Sequence, residues 1–150
     1  MWLLFVDDGS TDATFQILDR LRSSAPGSID LMRLPSHQGK AEAVREGILE
    51  GLRREVELVG FWDADLSTPL RALDDFLALA AKRPEMDLIL GSRVMLMGRD
   101  IRRKVWRHYV GRVFATAVSR ALDLPVYDTQ CGAKVFRVNE AIAAVFAAPF

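Results

Sequence analysis

The sequence predicts an α/β protein with a mostly parallel β-sheet flanked by helices. Short apolar runs alternate with segments of helical periodicity along the whole chain, and turn-forming residues follow the runs. The chain has 150 residues, of which 50% are hydrophobic and 27% charged, as is usual for one globular domain. Its single cysteine excludes an internal disulfide, and its net charge of +0 argues neither for nor against nucleic-acid binding.

The first half of the chain predicts three strands and two helices. Residues 2–6 (WLLFV) form an apolar run that stops at DDGSTD, which is typical of a strand buried on both faces rather than of a signal peptide. Asp12 or Thr11 is expected to cap the helix that follows. The later elements in this half are a strand at 29–34, a helix at 40–53 and a strand at 57–62.

The second half continues the alternation. Pro69 suits the first turn of a helix over 69–82, and residues 87–91 predict a strand. A one-sided apolar stripe predicts a helix within 101–122, DTQCGAKVFR breaks that pattern, and 139–147 predicts a final helix. No apolar run approaches the roughly 18 residues that a membrane-spanning helix needs.

Three predicted strand ends carry polar turns: residues 7–10, 63–65 and 91–93. Ligands of parallel α/β sheets bind at the carboxyl ends of the strands, so we expect these turns at one edge. Asp63 and Asp65 suit a hard divalent cation, although aspartates also form turns and helix caps. The aspartates of VDDGSTD could accept hydrogen bonds from a ribose or a base, or the segment is simply an Asp-Gly turn. It matches neither the phosphate-binding P-loop nor the G-x-G-x-x-G dinucleotide fingerprint.

Residues 99–112 form a basic stretch with a single acid and two aromatic residues, Trp106 and Tyr109. Such a stretch is typical either of a membrane headgroup boundary or of a solvated helix face. A nucleic-acid function has no accompanying motif. The histidines are isolated, and Ser10, Ser67, Ser92 and Cys131 have no partnered histidine, so we interpret these four as turn or packing residues.

Five motifs in order, FVDDGSTDAT, HQGKAEAVREG, DADLSTP, GSR and DTQCGAKVFR, resemble those of the family 2 GT-A glycosyltransferases. These are inverting enzymes that use nucleotide sugars. The last motif, which follows the basic stretch, is similar to that of the polyprenyl-phosphate glycosyltransferases, the dolichyl-phosphate β-glucosyltransferases among them. The resemblance covers nearly all of the chain and implies a GT-A, Rossmann-like fold.

The resemblance also implies site residues and ligands. Asp8 would contact the uracil or ribose, and Asp65 would ligate Mg²⁺ or Mn²⁺ on the donor diphosphate. Asp63, the second metal-site residue, would approach the ribose or a metal-bound water. The donor would be UDP-glucose or GDP-mannose and the acceptor a polyprenyl phosphate, at the cytoplasmic face of a membrane. The implied donor-binding residues are Asp7, Asp8, Gly9, Ser10, Lys40, Asp63, Ala64 and Asp65. The implied catalytic residues are Asp65, Asp128 and Arg93. The implied acceptor-binding residues are Arg99, Arg102, Arg103 and Gln130.

The chain departs from the family pattern at its start. Relatives usually begin with a further strand, whereas Met1 and Trp2 lead directly into what corresponds to their second strand. We therefore expect residues 1–150 to be a partial catalytic domain without the family's first strand, with membrane helices possible elsewhere in a longer protein. The alternatives are a nucleotide-sugar-binding fragment without turnover and a family 2 transferase with a soluble or polysaccharide acceptor.

Overall fold

The computed structural model describes residues 1–92 and 131–149. It confirms the α/β class, with strands and helices alternating through most of the described chain. In chain order the elements are β1 (Leu3–Asp7), α1 (Thr14–Ser24), β2 (Ile29–Arg33), α2 (Lys40–Leu52), β3 (Leu58–Trp62), α3 (Ala72–Lys82), β4 (Leu88–Leu90), β5 (Ala133–Arg137) and α4 (Glu140–Ala147). The predicted helix within 101–122 lies outside the described residues.

The N-cap residue of α1 and the start of α3 differ from the sequence prediction. Helix α1 begins at Thr14, and its N-cap position is Ala13 rather than Thr11 or Asp12. The Asp12 carboxylate nevertheless accepts the Thr14 N–H at 2.9 Å, so it satisfies a backbone donor of the first turn. Helix α3 begins three residues after Pro69, because the Ala72 N–H bonds to the Pro69 carbonyl and closes a separate turn.

Strand β5 has no counterpart in the sequence prediction, which left DTQCGAKVFR without an element. It pairs antiparallel with β4, with Ile89 opposite Val135. Ala133, Val135 and Phe136 are buried. The strand forms because these side chains pack into a core that the chain assembles only when distant segments meet, and local periodicity carries little of that information.

The chain divides into two compact units, residues 1–61 with 137–150, and residues 62–136. In the first unit β1 and β2 are parallel, and their register places Asp7 opposite Arg33 at the carboxyl end of both strands. Helices α1 and α2 pack on this pair. The buried apolar side chains of this unit are Leu34, Ile48, Val59 and Phe146.

Two arginine side chains connect segments of the first unit that are distant in sequence. Arg54 stacks over the Trp2 ring at 3.8 Å, and both residues donate to the same Asp30 oxygen at 2.9 Å. Arg45 on α2 donates to the Phe146 carbonyl at 3.2 Å and so ties α2 to α4. These contacts connect segments that are distant in sequence, as a compact unit requires.

The second unit has its own core, built on β4, β5 and α3. The Trp62 and Phe76 rings pack at 5.3 Å between centroids. Strands β4 and β5 lie side by side in this unit, and β1 and β2 form the two-stranded sheet of the first unit. Among the residues of this unit that the structure describes, the buried apolar side chains are Ala80, Ile89, Cys131, Ala133, Val135 and Phe136. Within the described ranges, no helix is both long and apolar enough to cross a membrane.

Replacing Gly51 with alanine is expected to destabilise the protein by about 1–3 kcal/mol through overpacking. A Cβ at this buried position of α2 would lie 2.6 Å from the Val59 Cγ2 atom. The clash should exceed the gain of about 1 kcal/mol in helix propensity. Urea denaturation measures the change, and Val59→Ala is the matched background because it removes the clashing methyl. A Gly51→Ala variant more stable than wild type would contradict this packing.

Candidate functional site

The first candidate cluster is the turn at residues 7–10, which follows β1. Asp7 is only 3% exposed. Its Oδ1 accepts the Ser10 N–H at 3.2 Å, while Oδ2 lies 3.3 Å from Arg33 Nε and has no hydrogen bond among the described residues. A buried carboxylate is costly without a compensating cation. Arg33 therefore stabilises the strand end from which the turn departs.

Gly9 is the residue that allows this turn to pack closely against the loop before α2. Its φ is +73°, and a Cβ there would lie 2.8 Å from the His37 backbone nitrogen. Both the backbone angle and the available space exclude a larger residue. The role of Gly9 in donor binding stays a prediction. Independently of that role, the tight packing of the turn requires a glycine at this position.

Asp8 joins the turn to the loop before α2. Its carboxylate accepts the backbone N–H groups of Gln38 at 2.8 Å and Gly39 at 2.9 Å, and His37 Nδ1 lies 2.7 Å from Oδ2. Lys40 is the first residue of α2, directly after these amides. Asp8 thus positions the loop that presents Lys40, and its predicted contact with uracil or ribose remains a prediction.

The pKa of Asp8 lies below its ordinary value of 3.8, chiefly because the Gln38 N–H donates to the ionised form and the Gly39 N–H and His37 add to this. A lowered folded-state pKa means that the contribution to stability is present above pH 3.8 and is lost as pH falls through the folded pKa. We expect the Gly39 amide resonance to titrate with a midpoint below 3.8, and Asp8→Asn to remove that titration. A midpoint above the ordinary value would contradict the geometry.

The second candidate cluster is the acidic loop, residues 63–68, at the end of β3. The Asp63 N–H donates to the Gly132 carbonyl at 2.7 Å, and the Leu66 N–H donates back to the Asp63 carbonyl at 3.1 Å. Asp65 accepts the Ser67 N–H at 2.9 Å and pairs with the Ser67 hydroxyl at 2.8 Å. The loop is therefore a tight turn that fixes the backbone on both sides of Ala64.

Gly132 provides the space in which the Asp63 carboxylate lies. A Cβ on Gly132 would fall 1.9 Å from Asp63 Oδ2 and 2.0 Å from Cγ, so no other residue fits without moving Asp63. Trp62 Nε1 donates to the Thr68 carbonyl at 2.6 Å, and the Thr68 hydroxyl lies 3.5 Å from the buried Cys131 sulfur. Cys131 is a packing residue, as the sequence indicated.

The donor set of the acidic loop fits a divalent cation of the magnesium type. Asp63 and Asp65 supply hard oxygen ligands, and each carboxylate oxygen can accept a second partner. Mg²⁺ typically binds through one or two carboxylates while phosphates and waters complete its shell. Within residues 1–92 and 131–149 no cluster of three or more His, Cys, Asp or Glu side chains could hold a metal. The metal role of Asp63 and Asp65 therefore stays a prediction, in which these two carboxylates would be the protein's ligands.

The remaining predicted site residues, Arg93, Arg99, Arg102, Arg103, Asp128 and Gln130, lie outside the described part of the chain. Two residues that the sequence interpretation did not assign to the site belong to it by contact. Arg33 compensates Asp7, and Gly132 accommodates Asp63. The sequence feature that could have indicated Arg33 is its position at the end of the strand after β1. In a parallel pair the carboxyl ends of β1 and β2 lie side by side, which places Arg33 beside Asp7.

The described strands and helices form an α/β fold in which carboxylates and tight turns follow two strand ends, the position at which ligands of parallel α/β sheets bind. Residues 3–141 match the Glycosyl transferase family 2 profile, and the chain belongs to this family. The family resemblance of the five motifs is therefore confirmed.

The chain is also similar to curated proteins. It is 32% identical over 136 residues to a polyprenol monophosphomannose synthase of Mycolicibacterium smegmatis, covering 90% of this chain and 50% of the relative. It is 29% identical over 140 residues to a dolichyl-phosphate beta-glucosyltransferase of Dictyostelium discoideum, covering 89% and 42%. A protein of the same description from Trichomonas vaginalis is 31% identical over 141 residues, covering 89% and 40%. The chain thus spans half of these relatives' length or less.

Proposed function

We propose that residues 1–150 are a partial GT-A catalytic domain of a polyprenyl-phosphate glycosyltransferase. The enzyme would transfer a hexose, glucose in our proposal, from a nucleotide sugar to a polyprenyl phosphate at the cytoplasmic face of a membrane. UDP-glucose is the proposed donor and GDP-mannose the alternative. Family membership and the names of the two similar proteins support this acceptor class.

The observation that carries the proposal is the anchored carboxylate pair of the acidic loop. The Asp63 backbone N–H bonds to the Gly132 carbonyl, with the Asp63 carboxylate lying against Gly132, and the Asp65 carboxylate accepts the Ser67 N–H. We assign to them a Mg²⁺ or Mn²⁺ ion that neutralises charge on the departing diphosphate. The turn at residues 7–10 and Lys40 are assigned to the nucleoside end of the donor.

The proposed chemistry is one in-line displacement with inversion. An acceptor phosphate oxygen forms a bond to the anomeric carbon, the bond from that carbon to the diphosphate oxygen breaks, and UDP departs with the electron pair. A phosphate monoester has a second pKa of about 6, so it is already largely ionised at neutral pH and needs no strong base. An α-linked donor then gives a β-linked lipid phosphate sugar.

The test is UDP release from UDP-glucose by this chain, with and without a short-chain polyprenyl phosphate in detergent. We expect release that requires the acceptor and stops with EDTA, and a β-anomeric product by NMR. Parallel reactions with GDP-mannose identify the donor base. Donor binding without UDP release would favour a nucleotide-sugar-binding fragment without turnover. UDP release with a soluble acceptor alone would favour a family 2 transferase that uses a soluble or polysaccharide acceptor.

A further inference from the structure

Arg33 contacts three parts of the turn at residues 7–10 and its surroundings. Its Nε lies 3.3 Å from Asp7 Oδ2, its Nη2 donates to the Ser10 carbonyl at 2.9 Å, and its guanidinium carbon lies 4.7 Å from the centre of the Phe15 ring in α1. We infer that Arg33 is a positioning residue that holds this turn in the shape that binds the nucleotide. The inference rests on the proposed function of the turn.

Charge explains why this position needs a cation. The Asp7 side chain is only 1% exposed, whereas the Arg33 side chain is 47% exposed. Removing one partner of a pair that contains a buried charge leaves that charge uncompensated, which is strongly unfavourable. Without Arg33 the Asp7 carboxylate would turn towards water, and the Ser10 N–H that it accepts would lose its partner.

Shape explains why the cation is an arginine. A guanidinium is a planar fork that can pair with a carboxylate, donate to a carbonyl and lie against an aromatic ring at the same time. A lysine ammonium would keep the charge but could not reproduce the planar stacking on Phe15. Lysine at position 33 should therefore restore the turn only in part.

The sheet itself does not depend on the Arg33 side chain. The β1-β2 ladder is formed by backbone groups, and the Leu34 N–H still donates to the Asp7 carbonyl at 2.9 Å beyond the last strand residue. Loss of the Arg33 side chain should therefore alter the turn much more than the fold. This separation makes a positioning role distinguishable from a merely structural one.

The test compares Arg33→Met with Arg22→Met. Arg22 is the matched control because its side chain is also 47% exposed and it pairs with Asp19 on α1, away from the turn. We expect Arg33→Met to weaken UDP binding by about ten- to a hundredfold in calorimetry, the loss typical of a charged hydrogen bond. Amide hydrogen exchange of Ser10 should accelerate in Arg33→Met but not in Arg22→Met.

Restoring UDP binding to the Arg33 variants distinguishes loss of turn positioning from loss of the fold. Arg33→Lys should recover part of the affinity, and guanidinium chloride well below denaturing concentrations should restore UDP binding to Arg33→Ala while leaving wild type unchanged. Wild-type affinity and unchanged Ser10 exchange in Arg33→Met would overturn the inference. If wild type itself did not bind UDP, the proposed function would fail, and the Ser10 exchange rates would still decide whether Arg33 holds the turn.

Discussion

Replacing Gly132 with alanine is expected to abolish cation-dependent activity while the protein stays folded. The new Cβ would lie 1.9 Å from Asp63 Oδ2, so the carboxylate must leave its place beside the Gly132 backbone. Asp63 would then no longer be held where we assign the cation. Displacing a group that orients a metal site typically lowers metal affinity by about 10–100-fold, and we expect at least this loss in Mn²⁺ binding.

Gly27→Ala is the matched control for this substitution. Gly27 has a φ of +80°, and no atom lies within 4 Å of the place that an alanine Cβ would occupy, so alanine there strains the backbone without displacing a neighbour. It should lower stability slightly and leave cation binding unchanged. Equal loss of activity in both variants, or full Mn²⁺ affinity in Gly132→Ala, would contradict the role that we give to the Asp63 position.

Asp65→Ala is expected to remove cation-dependent donor binding altogether. We assign Asp65 as the direct ligand, and the alanine variant also loses both contacts to Ser67 that close the acidic loop. Turnover should fall by at least about a hundredfold, the range seen when one strong electrostatic contact to the reacting group is deleted. UDP binding measured with EDTA should change much less than UDP binding measured with Mn²⁺.

The Ser67→Ala variant distinguishes the proposed role of Asp65 as a cation ligand from its role in closing the acidic loop. This variant removes the hydroxyl contact to Asp65 but keeps the carboxylate and the Ser67 backbone N–H that pairs with it. We expect it to retain most of the Mn²⁺ dependence. If Ser67→Ala were as inactive as Asp65→Ala, loop closure rather than cation binding would be the function of Asp65.

The strand ends that carry the candidate site could be predicted from the sequence. The two apolar runs before residues 7–10 and 63–65 each stop directly before an aspartate, and such a change from apolar to charged residues marks the end of a buried strand. The prediction of β1 was wrong by one residue, since Asp7 is the last residue of the strand rather than the first of the turn. That shift explains why Asp7 is buried and needs Arg33.

The contacts between segments could not be predicted in the same way. Asp8 accepts amides 30 and 31 residues later in the chain, and Asp63 lies against Gly132, far along the sequence, so neither contact leaves a local pattern. Strand β5 was missed for the same reason, because its buried side chains are specified by their partners in the core. Local sequence specifies elements well, and tertiary packing decides which side chains meet.

Cation binding by Asp65 is tested most directly by a crystal structure of this chain soaked with UDP and Mn²⁺, with anomalous data collected at the manganese edge. We predict one strong anomalous peak within coordination distance of an Asp65 carboxylate oxygen, with the diphosphate of UDP on the same ion. A nucleotide bound away from residues 63–65, or a manganese peak that Asp65 does not contact, would contradict it.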